Sequence, residues 1–236
     1  MNGTDVNFKR HSPAVICDFD DTTAIENVAE LLLREFGGQN WLNFKEQHGR
    51  RLINLKDYQE LAFLTISAGR DEMKDLVKKS VHLRPQFKLL FEYCRDSQIP
   101  LAIASMGLDF YIEALLERED MESIPVFAAD TQFTSTGLKF GYKYTWDGCW
   151  QPGTCKCRIL QMYRDQGYSI LFAGDGKSDI CPASRSDVVF ARRFLEDHYQ
   201  DAGLPYFPLL DFGTVLEVLQ DHGESSSHSE SGKPID

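Results

Sequence analysis

Three carboxylates and two hydroxyls follow directly on an apolar run in Val15-Ile16-Cys17-Asp18-Phe19-Asp20-Asp21-Thr22-Thr23. A short apolar run with β-branched members reads as a buried strand. An unpaired buried carboxylate is costly, so this strand ends where Asp18 begins. Three acids crowded at a strand end repel one another, and a hard cation held by oxygen ligands is the simplest compensation. The hydroxyls and backbone N–H groups of such a loop can also hold an anion. The stretch therefore reads as a place where a metal and a phosphate meet.

Two more apolar runs end in polar clusters. Residues 99–104 lead into Ser105-Met106-Gly107, and residues 169–173 lead into Gly174-Asp175-Gly176-Lys177-Ser178-Asp179. Further strands are expected at 14–17, 124–128 and 187–191, with a β-hairpin over 132–144 turning at Thr136-Gly137. Helices are expected at 24–36, 41–49, 55–68 and 71–80, then from Pro85 to about 97, and at 108–119, 154–165, 194–202 and 212–221. Continuous apolar strands alternating with helices predict an α/β fold: a Rossmann-like parallel sheet with helices on both faces. Ligands of such sheets bind outside the carboxyl ends of the strands, so the three polar clusters should converge on one edge.

Residues 24–83 show no strand character. They predict a small helical insert after the first strand, packed on its own aromatics Trp41, Phe44, Tyr58 and Phe63. The expected organisation is an α/β core over 13–23 and 84–221, a helical cap over 24–83, and flexible termini at 1–12 and 222–236. A net charge of −11 without a basic patch excludes nucleic acid and anionic membrane as partners. No apolar run reaches membrane-spanning length, and residues 1–13 lack the apolar core of a signal peptide. The six cysteines are thus expected as reduced thiols in a cytoplasm.

With Lys156, the three clusters make a four-part set that resembles the haloacid-dehalogenase-like hydrolase superfamily. Asp18-Phe19-Asp20-Asp21-Thr22 matches its DxDx[TV] motif, and Ser105 its hydroxyl residue after the next core strand. Lys156 matches its lone lysine opening a later helix, and the segment from Gly174 to Asp179 its GDGxxD acid motif. The resemblance implies a phosphatase of a small phosphorylated metabolite. Asp18 would attack phosphorus to form an aspartyl-phosphate, with Asp20 as general acid and then base. Mg²⁺ would be bound by the carboxylates of Asp18 and Asp175 and the backbone carbonyl of Asp20, while Asp179 holds the metal's waters or Lys156. Ser105 and the N–H groups of Met106 and Gly107 would bind phosphoryl oxygens whose charge Lys156 neutralises. Many members have glycine at the position of Asp21, and Asp is among the residues that tolerate a positive φ there.

The insert resembles the small cap of the phosphoserine-phosphatase-like subgroup. That likeness implies a substrate-reading acid near Glu26, with Asn27 as the alternative and a plain first-turn acid as the structural reading. The segment from Gly174 to Arg192 and the Cys155-Lys156-Cys157 triplet are similar to methionine-salvage phosphatases and their relatives, and partly to phosphocholine and phosphoethanolamine phosphatases. Two other activities fit the same motifs: transfer of the phosphoryl group to an alcohol, and silent binding on the same scaffold. The intact Asp18, Asp20, Lys156 and Asp175 argue against the second.

Cys149, Cys155 and Cys157 are three thiols at x5 and x1 spacing, one short of the four that structural zinc requires. A redox-sensitive pair and simple packing are the other readings. Cys17, Cys94 and Cys181 read as small buried hydrophobes. The six histidines share no motif, and none is assigned a catalytic role.

Overall fold

Pro13–Cys17 (β1) is buried at every position and lies at the centre of a seven-stranded sheet. A computed structural model of the chain describes residues 12–135, 137–149 and 151–229. The expected loose N-terminus thus falls almost wholly outside the described residues, as do Thr136 of the expected hairpin turn and residues 230–236. The other strands are Leu101–Leu108 (β2), Val126–Thr134 (β3), Gly137–Gly141 (β4), Ser169–Gly174 (β5), Val188–Ala191 (β6) and Phe207–Pro208 (β7). Their order is β4-β3-β2-β1-β5-β6-β7. All neighbours pair in parallel except β3 with β4.

The two faces of the sheet bury separate apolar clusters, as the period-2 alternation of strand side chains requires. Val15, Cys17, Leu101 and Ile103 enter one cluster, and Ala14, Ile16, Ala102 and Ala104 enter the other. The first cluster packs against Phe87–Asp96 (α5) and Asp109–Arg118 (α6). The second is covered by Lys156–Arg164 (α7), Ile180–Ala183 (α8) and Arg193–Asp201 (α9).

The insert contains four helices: Val28–Phe36 (α1), Asn40–Gly49 (α2), Leu55–Phe63 (α3) and Arg70–Ser80 (α4). Its neck is closed by an antiparallel bridge between Ala24 and Leu83. The backbone there is tied by Ile25 N–H to His82 C=O at 2.9 Å and by Arg84 N–H to Thr23 C=O at 2.8 Å. The insert does not pack only on its own aromatics. Leu32, Leu33, Trp41 and Phe63 belong to the same cluster as the core strands, and the Phe63 ring stacks on Tyr111 of α6 at 6.5 Å.

Several boundaries differ from the sequence reading for local reasons. The first insert helix starts at Val28 and not at residue 24, because Ala24 is held in the neck and Asn27 caps the helix through Glu30 N–H at 2.9 Å. The helix expected from Pro85 begins at Phe87, after Gln86 in a left-handed conformation. β2 runs past residue 104 to Leu108 through a register shift, which is how a strand carries a polar cluster without losing its pairing. The third strand and the first arm of the hairpin are one continuous strand, β3. Gly213–Ser229 (α10) continues eight residues into the segment expected to be loose from residue 222. That stretch holds no proline, and lengthening a formed helix adds a hydrogen bond for each residue fixed.

Candidate active site

The carboxyl ends of β1, β2 and β5 meet at a cavity of about 300 Å³ beneath the insert. Asp18, Asp20, Ser105, Met106, Gly107, Lys156 and Asp175 all line it. Asp18 follows the last residue of β1, and its N–H is anchored on Ala173 C=O of β5 at 2.8 Å. The loop after it turns back sharply, with Thr23 N–H and Oγ1 both donating to Asp18 C=O.

Lys156 is the first residue of α7 and only 3% exposed. Its ammonium lies between Asp18 Oδ1 at 2.7 Å and Asp179 Oδ1 at 2.5 Å. Burial alone would lower its pKa, but Asp179 and Asp18 outweigh burial and hold it above the usual lysine range. Asp179 is fully buried, and its other oxygen accepts the N–H groups of Asp175 at 3.0 Å and Gly176 at 2.9 Å. The pair with Lys156 is one of the two roles implied for Asp179. A side chain on Gly174 would meet Asp179 Cγ at 2.7 Å, so glycine is required where this acid folds back under the loop.

Asp18, Asp175 and Asp179 bring one carboxylate oxygen each within 4.8 Å of one another. An all-oxygen donor set at the mouth of a parallel sheet suits a hard divalent cation. The electrostatics without a cation agree. Burial, then Asp179 and Asp21, push Asp175 up to about 7. Burial, then Asp179, raise Asp18 well above the ordinary carboxylate range against the pull of Lys156. These groups resist ionising together unless positive charge is supplied.

The side chain of Asp20 leaves this cluster and turns to the insert. Its Oδ1 accepts Val28 N–H at 2.7 Å and Ala29 N–H at 3.3 Å, at the N-terminus of α1. Its Oδ2 accepts the Tyr111 hydroxyl at 2.9 Å. Burial pushes Asp20 up to about 6, against the lowering effect of those three hydrogen bonds. A carboxyl that titrates near neutrality can deliver and recover a proton. Asp20 was implied as a metal residue only through its main-chain carbonyl, and its carboxylate takes no part in the three-acid cluster.

Ser105 is 1% exposed and accepts Gly107 N–H on its Oγ at 2.9 Å. Gly107 is packed so tightly that a Cβ would lie 1.9 Å from the Tyr111 hydroxyl and 3.0 Å from Asp20 Oδ2. Asp21 has φ 60°, in the left-handed region that favours glycine. Its carbonyl accepts from Arg84 at 2.7 Å and from Arg192, and its carboxylate accepts from Asn27 at 3.0 Å and from Arg193. These contacts explain how a non-glycine residue is held there.

Glu26, expected to face the substrate, does not line the cavity. It accepts His82 N–H at 2.8 Å and contacts His82 Nδ1 at 2.9 Å, across the neck of the insert. The acid of the insert that lines the cavity is Glu30, one helical turn further on, together with Asn27. Glu30 pairs with Lys45 at 2.8 Å and with Arg34. Burial would raise its pKa, but Lys45 and Arg34 prevail and hold it below the usual range. Lys45, His48, Tyr58, Phe63 and Tyr111 also line the cavity; Tyr58 and Phe63 were expected only as packing aromatics of the insert, and none of the five was expected at the site.

Residues 14–200 match the sequence profile of the family described as Putative Phosphatase. The 2-hydroxy-3-keto-5-methylthiopentenyl-1-phosphate phosphatase of Brevibacillus brevis is 28% identical over 212 residues, covering 87% of this chain and 94% of that protein. The protein of the same name from Geobacillus kaustophilus is 29% identical over 210 residues, again covering 87% and 94%. Among solved structures, a substrate-bound phosphoserine phosphatase superposes with a TM-score of 0.67 at 14% identity, covering 89% of this chain and 99% of that one. A probable phosphoserine phosphatase from Vibrio cholerae gives a TM-score of 0.70 at 16% identity, covering 92% and 67%. At these identities the structures speak for the fold alone.

Proposed function

Because the chain belongs to the Putative Phosphatase family, we propose that it is a Mg²⁺-dependent phosphatase that hydrolyses the phosphomonoester of a small metabolite through an aspartyl-phosphate on Asp18. The observation that carries this reading is the buried Lys156 held between Asp18 and Asp179, on the floor of a cavity that Ser105 and Asp20 also line. Phosphate esters are among the slowest bonds to hydrolyse, and covalent catalysis divides the barrier into two smaller ones.

Lys156 holds the attacking oxygen of Asp18 in place and neutralises the incoming phosphoryl group. Ser105 and the N–H groups beyond it receive the phosphoryl oxygens. Asp20 protonates the departing oxygen and then takes a proton from the water that cleaves the acyl-phosphate. Mg²⁺ would be held by the carboxylates of Asp18 and Asp175 with the Asp20 carbonyl, and supplies charge neutralisation for the phosphoryl group. Asp179 keeps Lys156 oriented from behind.

The helices α1–α4 act as a cap that excludes water and reads the organic part of the substrate. Leu33, Leu55 and Phe63 give that part an apolar wall, while Glu30, Lys45 and His48 offer it polar contacts. This lining supports a substrate of the class named for the Brevibacillus and Geobacillus relatives, a short keto-phosphate with a thioether tail. The surroundings would be cytoplasmic; among the described residues no helix is long and apolar enough to cross a membrane. Screening a panel of phosphorylated metabolites for released phosphate tests the reading. It expects Mg²⁺-dependent turnover on a small phosphomonoester. Failure to release phosphate from any member, with the fold intact, would sink it.

A further inference from the structure

Arg84 stands at the neck of the insert, one residue past the Ala24–Leu83 bridge, where the chain returns to the core. It is 7% exposed, and among the described residues no other arginine is buried. Its guanidinium donates to main-chain carbonyls: Nε–H to Thr22 C=O at 2.6 Å and Nη2–H to Asp21 C=O at 2.7 Å. Its own backbone N–H donates to Thr23 C=O at 2.8 Å. One residue of the neck thus holds three consecutive carbonyls of the loop that follows β1.

Burying a charge is costly, and hydrogen bonds from a charged donor are stronger than neutral ones. The guanidinium is also a rigid planar fork, so two carbonyls gripped at once are fixed in orientation to each other. The far side of the gripped loop reaches the acids. In a planar trans peptide the C=O and N–H point opposite ways. The Thr22 carbonyl faces Arg84, and the N–H of the same peptide, that of Thr23, donates to Asp18 C=O at 3.2 Å. Thr23 Oγ1 donates to that carbonyl at 2.6 Å, and Thr22 Oγ1 donates to Asp175 Oδ1 at 3.4 Å. Two hydrogen bonds therefore separate the guanidinium from the backbone of Asp18. Asp21 has φ 60°, which is unfavourable for a residue with a Cβ, and Arg84 pins the carbonyl of that residue. Arg84 itself does not line the cavity.

We propose that Arg84 is a positioning residue for phosphoryl transfer, an inference that rests on the phosphatase reading. Its fork clamps residues 21–23 to the neck of the insert and so sets how Asp18 faces Lys156 and Asp175. Lysine keeps the charge and one donor but loses the fork, and methionine loses both.

The test combines single-turnover kinetics of the full chain with amide hydrogen exchange. With enzyme in excess and Mg²⁺ present, Arg84→Lys should slow release of the alcohol from an alkyl phosphate and of nitrophenol from nitrophenyl phosphate by the same factor, about tenfold or more. The enzyme concentration giving half the maximal rate should change by less than about threefold, and Arg84→Met should be slower still. A rate constant is independent of the fraction of folded chains, which appears in the amplitude. The amides of Thr23 and of Ala24, which donates to Phe19 C=O, should exchange about tenfold faster in Arg84→Lys, a larger factor than in β1 and β5. Should neither variant fold, the wild-type chain decides: the Arg84 Nε–H and the Thr23 amide should open with the same denaturant dependence. Unchanged rate constants, a loss of amplitude alone, a loss on the alkyl phosphate alone, uniform acceleration of exchange, or independent opening would each overturn the proposal. A wild-type chain that releases phosphate from no ester would refute the phosphatase reading, and the exchange result would then decide by itself whether Arg84 clamps the loop.

Discussion

Tyr111→Phe isolates the part of the site that handles the proton. The substitution removes one oxygen and leaves the ring that packs between Phe19 and Phe63. It deletes the 2.9 Å hydrogen bond to Asp20 Oδ2, while Oδ1 keeps its two N–H donors from α1. Burial and the neighbouring Asp20 push the Tyr111 hydroxyl well above its usual range, so it stays a donor throughout the working pH. A hydrogen bond to a charged group contributes about 1.5–3 kcal/mol. At 1.36 kcal/mol per decade, that corresponds to about a 10- to 150-fold loss if the bond is made in full in the transition state. The loss should fall on substrates whose leaving oxygen needs a proton. The single-turnover rate of phosphoryl transfer to Asp18 from an alkyl phosphate should drop by that factor, whereas that from a nitrophenyl phosphate, whose leaving group departs unprotonated, should change by less than about threefold. Equal losses on both substrates would mean that Tyr111 serves only the fold. No loss on either would mean that Asp20 is not the acid.

Two further outcomes follow from the same geometry. Glu30→Gln should raise KM for the true metabolite several-fold and leave a small aryl phosphate nearly unchanged, whereas Glu26→Gln, whose partner is His82 in the neck, should alter neither; steady-state kinetics on both substrates decides, and the reverse pattern would return the reading role to Glu26. Metal-free protein should lose stability as pH rises, because Asp20 and Asp175 titrate in the fold at about 6 and about 7 but near 3.9 when unfolded, so the folded state holds more protons between about pH 4 and pH 7. Mg²⁺ should therefore raise Tm more at about pH 8 than at about pH 5, and a Tm gain independent of pH would argue against a cation at the carboxylates.

The core strands were legible because parallel strands are buried on both faces and appear as continuous apolar runs, as in residues 14–17 and 169–173. The convergence of Asp18, Ser105 and the Asp175–Asp179 segment follows from the same reasoning, since strand ends of a parallel sheet share one edge, whereas Lys156 opens a helix and was legible only through its resemblance to the superfamily's lysine motif. What the sequence hid depends on where elements begin and which way helices face. The apolar spacing places Glu26 in a helix from residue 24, but the neck bridge delays that helix to Val28, which puts Glu26 in the linker and Glu30 at the cavity. Tyr111 lies among buried apolar residues of α6, and helical spacing alone does not separate a core aromatic from one whose hydroxyl reaches an acid. Cys181 was read as a buried hydrophobe, but its contact with Cys157 spans 24 residues and arises only when α8 packs on α7.

The central claim is that phosphorus passes through Asp18. Acid-quenching the enzyme during turnover of a phosphomonoester, then reducing with borohydride and mapping the peptides, reads this directly, because an acyl-phosphate is reduced to an alcohol while a free carboxylate is not. The account predicts conversion of the Asp18 side chain alone, dependent on both substrate and Mg²⁺. Turnover with an unmodified Asp18, or with modification at Asp20 or Asp175 in its place, would contradict it.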